Sequence, residues 1–250
     1  MDRSFPKLPE AMPTGEISEL AVQFRKANGP VMKLVNLAGS AVESALSKIP
    51  TQYQARIESV IAQALEASYG LAASAPNLGD RGNMAAVLAS GAAGGAGGLP
   101  SAIAELPVTV TLILNAIRAE ARNAGFDPDD EAIRAQCLLV FGSGSPLATD
   151  DGINTSSLSA RLSVTGQAVQ SLISKIAPKL ATALGPKLAV QAVPVLGAVS
   201  GAALNAAFLT YYREIARIRF ALLKLSETHG TEAVLDAFAK AVEPPRITRA

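Results

Sequence analysis

The chain has 250 residues, a net charge of +1 and no tryptophan, and 49% of its residues are apolar. Only 17% are charged, against about 25% in an average soluble protein. This length is enough to bury a substantial core, and the absence of a basic patch with interleaved aromatic residues argues against a nucleic-acid partner. A single cysteine and a single histidine make a zinc site improbable, so we expect neither a metal nor a cofactor.

The N-terminal region predicts a flexible tail over residues 1–16, because it holds three prolines and no hydrophobic periodicity. It also lacks an apolar run of signal-peptide length, which makes the cytoplasm the expected compartment. Ser18 is the predicted N-cap of the first helix. Helical patterning then continues to Pro244-Pro245, so we expect a helical domain over 17–243 and a C-terminal tail over 244–250.

Two amphipathic helices are predicted next. Gly29-Pro30 marks a predicted helix boundary. Apolar residues then recur at spacings of three and four from Val31 to Leu46. Pro50-Thr51 opens a further helix to about Ala73, followed by a loop over residues 74–82.

A glycine cluster follows, with five glycines between positions 91 and 98. Because each interior glycine costs a helix about 1 kcal/mol relative to alanine, we expect the helix to end near Ser90. Pro100 and Pro107 are the predicted first-turn residues of the helices that follow. The cluster lacks the Lys-Ser/Thr of a phosphate loop and the spacing of G-x-G-x-x-G. It is interpreted as a small-residue packing face, with a hinge or a partner surface as the alternative.

The most apolar helix is predicted over residues 107–124, with Gly125 ending it. Asp127 is the predicted cap of the next helix, and Cys137 in that helix is expected to be a buried thiol. The polar stretch 142–157 predicts a linker or a boundary between helical layers.

Three helices complete the pattern. They are predicted over 158–184, ending at Gly185-Pro186, then from Pro194 to Leu225, and over 231–242.

Four basic residues of the C-terminal part are interpreted as a solvated helix face, with contact to an anionic membrane as the alternative. These residues are Arg161, Lys175, Lys179 and Lys187.

The chain as a whole predicts an all-α fold, a single compact multi-helix domain, since no strand alternation of useful length appears. Its core is expected to use small residues. Gly197, Gly201 and Asn205 recur at intervals of four residues on one helix face. Two glycines at this spacing let another backbone approach closely, and a buried Asn205 must then bond to the neighbouring helix.

Two uncharged segments match a membrane span in length, residues 82–104 and 188–212. Both are rich in Gly and Ala or contain polar residues, which favours buried core helices over spans.

Glu105 is the lone charge from Gly82 to Ile117. It is interpreted as a first-turn acid near Pro107, with a buried acid/base residue as the alternative.

Two blocks of the chain carry a family resemblance. The first is GGLPSAIAELP, the apolar helix after it and GFDPDD; the second is PVLGAVSGAALNAAFLTYYREIARIRFALLKL. Their order resembles the EcsC family of bacterial proteins. The resemblance implies a hydrophobic helical protein with a role near transport or secretion, and it supplies no catalytic residues.

These observations predict a non-enzymatic accessory protein, cytoplasmic or peripheral to the inner face of the membrane, that binds a protein or lipid partner. The candidate partner-binding residues are Gly94, Gly95, Gly97, Gly98, Pro100, Glu105 and Asn205. One alternative is a hydrolase-like or lipid-active enzyme that uses Glu105 with Arg118, and another is an integral membrane protein. A pocket joining Glu105 to Asn205 would favour an enzyme or a ligand-binding protein.

Overall fold

The computed structural model describes residues 11–27, 51–70, 79–142, 166–191 and 196–242, and these residues form eight helices and no strand. The all-α prediction is confirmed. The helices are α1 (Thr14–Ala27), α2 (Thr51–Gly70), α3 (Gly79–Ala96), α4 (Gly98–Asn123), α5 (Glu131–Gly142), α6 (Gly166–Gln191), α7 (Leu196–His229) and α8 (Thr231–Val242). The helix expected after Pro30, most of the predicted linker and the C-terminal tail lie outside the described residues.

The first helix begins earlier than predicted. It starts at Thr14, so the expected tail over 1–16 reaches too far into the chain, and Ser18 is not its cap. Ser18 instead donates its hydroxyl to the carbonyl of Thr14, 2.7 Å away. The ring of Phe24 then meets that of Phe238 edge to face at 5.9 Å, which joins α1 to α8.

The glycine cluster does not end its helix at Ser90, as expected. Helix α3 continues to Ala96, and the chain reverses at Gly97 and Gly98, where Gly98 has a φ of 71° that favours glycine. The glycines cost helix propensity, but Gly91 lets α7 approach closely. Tertiary packing therefore outweighs local propensity here.

Helix α4 runs without interruption past Pro107, which was expected to begin a new helix. Proline leaves the carbonyl one turn earlier without its usual donor. The helix is nevertheless retained, because it lies in the core with Leu106 and Val110 both fully buried. Thr111 donates its hydroxyl to the Pro107 carbonyl at 2.8 Å. Glu105 consequently lies inside a helix and not in a first turn.

The junction after α4 follows the sequence in part. Gly125 has a φ of 85° and ends the helix, as predicted. Asp130, not Asp127, caps α5: its carboxylate accepts the amides of Ala132 and Ile133 at 2.8 and 3.2 Å. Asp127 accepts the amide of Asp129 and so closes the turn before the cap.

Helix α6 passes through Gly185-Pro186, where its end was predicted, and stops at Gln191. Helix α7 has 34 residues and contacts most of the other helices. Helix α8 begins and ends as the sequence indicated.

Charge divides this bundle into two ends. Helices α3 and α7 run antiparallel, because Gly91 meets Gly201 while the Val87 carbonyl meets Asn205. The two uncharged segments therefore pack together, and we call the described parts of 82–104 and 188–212 the uncharged end. The charged end lies where α4 finishes, and it includes Arg118, Glu120, Asp129, Arg213 and Arg217.

Candidate functional site

Glu105 lies at the centre of a buried polar cluster that joins four helices. Its Oε2 accepts a hydrogen bond from Lys187 Nζ at 2.6 Å. Its Oε1 accepts one from Asn205 Nδ2 at 2.9 Å and also from the hydroxyls of Ser90 and Thr109. Helices α3, α4, α6 and α7 each contribute at least one of these groups, so the cluster fixes their relative positions.

Lys187 is fully buried, which contradicts its predicted place on a solvated face. Its ammonium donates to Glu105 and, at 3.3 Å, to Thr109 Oγ1. Burial lowers the pKa of Lys187, and the nearby Glu105 carboxylate partly offsets that effect. The sequence contained a clue to this ion pair, which the assignment of Lys187 to a solvated face overlooked. Lys187 is the lone charge between Lys179 and Arg213, just as Glu105 is the lone charge of its own segment.

The pKa of Glu105 is lowered from its usual value, and two opposing effects set this direction. Burial acts to raise it, while the Lys187 ammonium and the hydrogen bonds from Lys187, Ser90 and Thr109 lower it further than burial raises it. The carboxylate is therefore charged at neutral pH. A general acid needs the opposite shift, so this environment does not suit that role.

Two glycines make the cluster compact. A Cβ atom on Gly91 or on Gly201 would lie closer than 3.0 Å to backbone atoms of the other residue. This contact brings two side-chain amides to carbonyls of α3: Gln191 Nε2 donates to Gly91 O at 3.1 Å, and Asn205 Nδ2 lies 3.3 Å from Val87 O. The close approach and the Asn205 bridge thus form as expected from the Gly201 and Asn205 spacing. Gly197 lies in α7, but its packing is outside the described part of the chain.

The cluster has little room for chemistry. Glu105 is 8% exposed and Asn205 is fully buried, and both Glu105 oxygens are occupied by internal donors. Within the described residues, the buried carbonyl oxygens of Gln191 and Asn205 have no hydrogen-bond partner. A substrate would have to displace the internal partners of Glu105, which a stabilising network resists. The arrangement is that of a structural ion pair.

Arg118 does not join Glu105. The two residues are 13 positions apart on one helix, or roughly 20 Å along its axis. Arg118 instead pairs with Asp129, with 2.6 Å between its Nη2 and the carboxylate. The proposed pairing of Glu105 with Arg118 therefore has no geometric basis.

A second buried carboxylate, Glu120, lies at the charged end. Arg213 Nε is 2.9 Å from its Oε1, and Arg217 Nε is 3.5 Å from its Oε2. The side chains of these arginines are 27% and 46% exposed, so this cluster opens to solvent on one side. Arg217 also pairs with Glu214 one turn earlier in α7.

Cys137 is buried, as predicted, and no other cysteine exists in the chain. Burial raises its pKa to about 12, although Arg118 and Arg219 lie near enough to oppose the shift. The thiol is therefore protonated at neutral pH and is a poor nucleophile.

The candidate partner-binding glycines divide between the interior and the surface. Gly94, Gly95 and Gly98 are buried. A Cβ on Gly94 would lie 3.0 Å from the side chain of Glu105, so Gly94 leaves room for the cluster. Gly97 and Pro100 are exposed at the tip of the α3–α4 hairpin and remain candidates for contact with a partner.

The hairpin formed by α3 and α4 has an exposed surface without charge. Between residues 82 and 108 nine residues are exposed, and none of them has a polar side chain. Val108 is 51% exposed and Leu88 is 40% exposed. The hydrogen bond from Ser90 to Glu105 shows that these positions of α3 and α4 lie side by side in the hairpin. We call these nine residues the hairpin surface; they are Ala85, Leu88, Ala89, Ala93, Ala96, Gly97, Pro100, Ala104 and Val108.

Within the described residues, α4 is the one helix long and apolar enough to cross a membrane. Its most apolar stretch is 61% buried against the rest of the protein, as in the core helix of a soluble bundle. The segment 82–104, considered as a span from the sequence, is divided between α3 and α4 by the turn at Gly97.

The EcsC protein family profile matches residues 51–222, which is more than half of the chain. The chain therefore belongs to the EcsC family, as its sequence blocks indicated. No curated protein and no solved structure is significantly similar to it.

Proposed function

We propose that this member of the EcsC family is a non-enzymatic accessory protein that docks on the inner face of a membrane through its hairpin surface. The protein would reside in the cytoplasm and associate reversibly with lipid. The transport or secretion setting that the family resemblance implies is part of the same proposal.

The observation that carries the proposal is the absence of polar side chains from the hairpin surface. Soluble proteins rarely leave a large contiguous apolar area exposed unless it contacts a partner or a membrane. The exposed residues continue around the hairpin turn, where Ser101 donates its hydroxyl to the Ala93 carbonyl at 3.1 Å. A lipid surface demands no hydrogen bonds from the protein, and the side chains of this surface offer none.

The burial of α4 supports peripheral rather than spanning association. Its apolar side chains pack against neighbouring helices, so only one face of the hairpin is available to lipid. That face consists mostly of Ala, Gly and Pro, which gain little free energy on transfer from water. Binding of this kind is reversible.

The polar chemistry of the interior supports a non-enzymatic role. The sequence alone left open a pocket joining Glu105 to Asn205, but the two groups bond directly to each other in a buried cluster. Arg118, the second residue of the enzyme alternative, bonds to Asp129 near the other end of α4.

Sedimentation with lipid vesicles tests the proposal. Purified full-length protein is expected to sediment with vesicles of mixed zwitterionic and anionic phospholipid. A Val108→Glu variant is expected to remain largely in the supernatant, because bringing a carboxylate into contact with the lipid hydrocarbon is unfavourable. Val22→Glu is the matched control, since Val22 is 39% exposed on α1, which packs mainly against α7 and α8. Equal sedimentation of Val108→Glu and wild-type protein, or none of either, would contradict membrane docking.

A further inference from the structure

We propose that the groove between α2 and α4 binds one single-chain fatty acid, with its carboxylate at Arg56. The groove has a volume of about 250 Å³, and it is lined by Tyr53, Arg56, Val60, Pro100, Ile103, Ala104 and Pro107. Pro100 and Ala104 belong both to this groove and to the hairpin surface, but fatty-acid binding does not depend on membrane docking.

The lining of the groove favours an apolar chain with one polar end. Five of its seven residues have side chains without a polar atom, and they belong to two helices. Tyr53 and Arg56 supply the polar groups, both from the first two turns of α2. A mostly apolar wall with a few polar groups to fix orientation is typical of small-molecule sites.

The charge of the groove selects an anion. Arg56 is its one charged lining residue and is exposed, and it makes no ion pair within the described part of the chain. Helices α2 and α4 both begin near this groove, and neither has an acidic residue in its first turn. The N-terminal dipole of α2 adds to the positive potential, whereas that of α4 is opposed by the adjoining C-terminus of α3 at Ala96. A carboxylate is the planar anion that a guanidinium binds with two hydrogen bonds.

The size of the groove favours one chain over two. Its volume is below the roughly 300–1,000 Å³ of pockets for drug-sized ligands. The lining residues of α4 run from Pro100 to Pro107, which spans about 10 Å along the helix. A phospholipid would leave its second chain without a place in this groove, whereas a fatty acid has one chain and one negative charge, matching the single arginine.

Titration calorimetry of the full-length protein with decanoate tests the site directly. We expect saturable binding of one decanoate per chain. Affinity is expected to rise about fourfold for each methylene from hexanoate to decanoate, because each buried methylene contributes about 0.8 kcal/mol. Absence of saturable binding, or affinity that does not change with chain length, would overturn the proposal.

Two variants separate the apolar and charged parts of the site. Ala104→Phe would fill the groove from an exposed position and should abolish binding, whereas Ala233→Phe at an exposed position of α8 should leave it unchanged. Arg56→Gln should weaken decanoate about two- to fivefold, the range for an exposed ion pair, and should leave methyl decanoate unaffected. Unchanged decanoate binding in Ala104→Phe would place the ligand elsewhere and refute this site. Vesicle sedimentation of Val108→Glu is a separate readout, so either proposal can fail alone.

Discussion

Glu105 and Glu120 are both buried carboxylates on α4, yet their surroundings differ. Glu105 pairs with a fully buried lysine and takes its remaining hydrogen bonds from neutral side chains, Ser90 and Asn205 on neighbouring helices and Thr109 on α4 itself. Glu120 pairs with Arg213 and Arg217, whose side chains reach solvent. The first cluster is sealed inside the uncharged end, and the second lies at the rim of the charged end.

The comparison shows that the two ends of the bundle differ in how far their charged side chains are exposed to solvent. At the uncharged end the Glu105–Lys187 pair is buried, and the hairpin surface has only apolar side chains. At the charged end the buried Arg118 and Glu120 pair with side chains that reach solvent. The hairpin surface, which exposes no charge, is suited to an apolar environment, whereas the charged end, with its solvent-exposed arginines, is suited to water.

Removing the buried cation should produce the largest effect. Lys187→Met leaves the Glu105 carboxylate buried without its counter-ion, which is expected to cost about 3–5 kcal/mol of unfolding free energy. Urea denaturation followed by circular dichroism measures this loss. The double variant Glu105→Gln/Lys187→Met removes both charges and should recover much of the stability. A loss below about 1 kcal/mol in Lys187→Met would mean that the pair is not sealed.

Closing the glycine contact should have the next largest effect. Gly91→Ala places a Cβ atom closer than 3.0 Å to the backbone of Gly201, so α3 and α7 must separate. Overpacking of this kind costs about 1–3 kcal/mol. Gly15→Ala is the matched control, because a Cβ there meets nothing within 4 Å and should be neutral or slightly stabilising. Equal thermal unfolding of the two variants would contradict the close contact.

Acid should weaken the sealed cluster through Glu105. Its pKa is lower in the folded protein than the value of 4.5 that applies to an unperturbed carboxyl. The stabilisation is therefore complete above about pH 4.5 and is lost as the pH falls through the folded-state value. Urea titrations at a series of pH values should show a smaller acid-induced loss in Glu105→Gln than in wild-type protein. The same slope in both proteins would exclude Glu105 as its source.

The smallest effect is expected at the charged end. Arg217→Gln leaves Arg213 paired with Glu120, and the Arg217 side chain is 46% exposed. The change should cost no more than about 1 kcal/mol, and salt should reduce that cost further. A loss as large as that of Lys187→Met would show that the two ends do not differ as described.

The sequence predicted the helical class because periodic apolar residues and helix-ending signals are local features. Gly125 ended α4 as expected, and α8 had the predicted bounds. Errors arose where tertiary packing overrode local signals. The helix through Gly91 is retained by contact with α7, and the helix through Pro107 is retained by burial in the core.

The candidate site could be predicted only in part. Asn205 and Gly201 were expected to face a neighbouring helix, and that follows from their spacing. The partner of Glu105 was missed because Lys187 was assigned by its charge to a solvated face. Spacing cannot show which lysine lies 82 positions away in sequence and 2.6 Å away in space. Two lone opposite charges in uncharged segments were the available clue.

Cell fractionation with a carbonate wash tests the central claim most directly. Wild-type protein is expected in the membrane pellet before the wash and in the supernatant after it, because the proposed docking through the hairpin surface is peripheral. Val108→Glu is expected in the first supernatant, whereas Val22→Glu should follow wild-type protein. Wild-type protein that stays in the pellet after the wash, or that never reaches the pellet, would contradict peripheral docking.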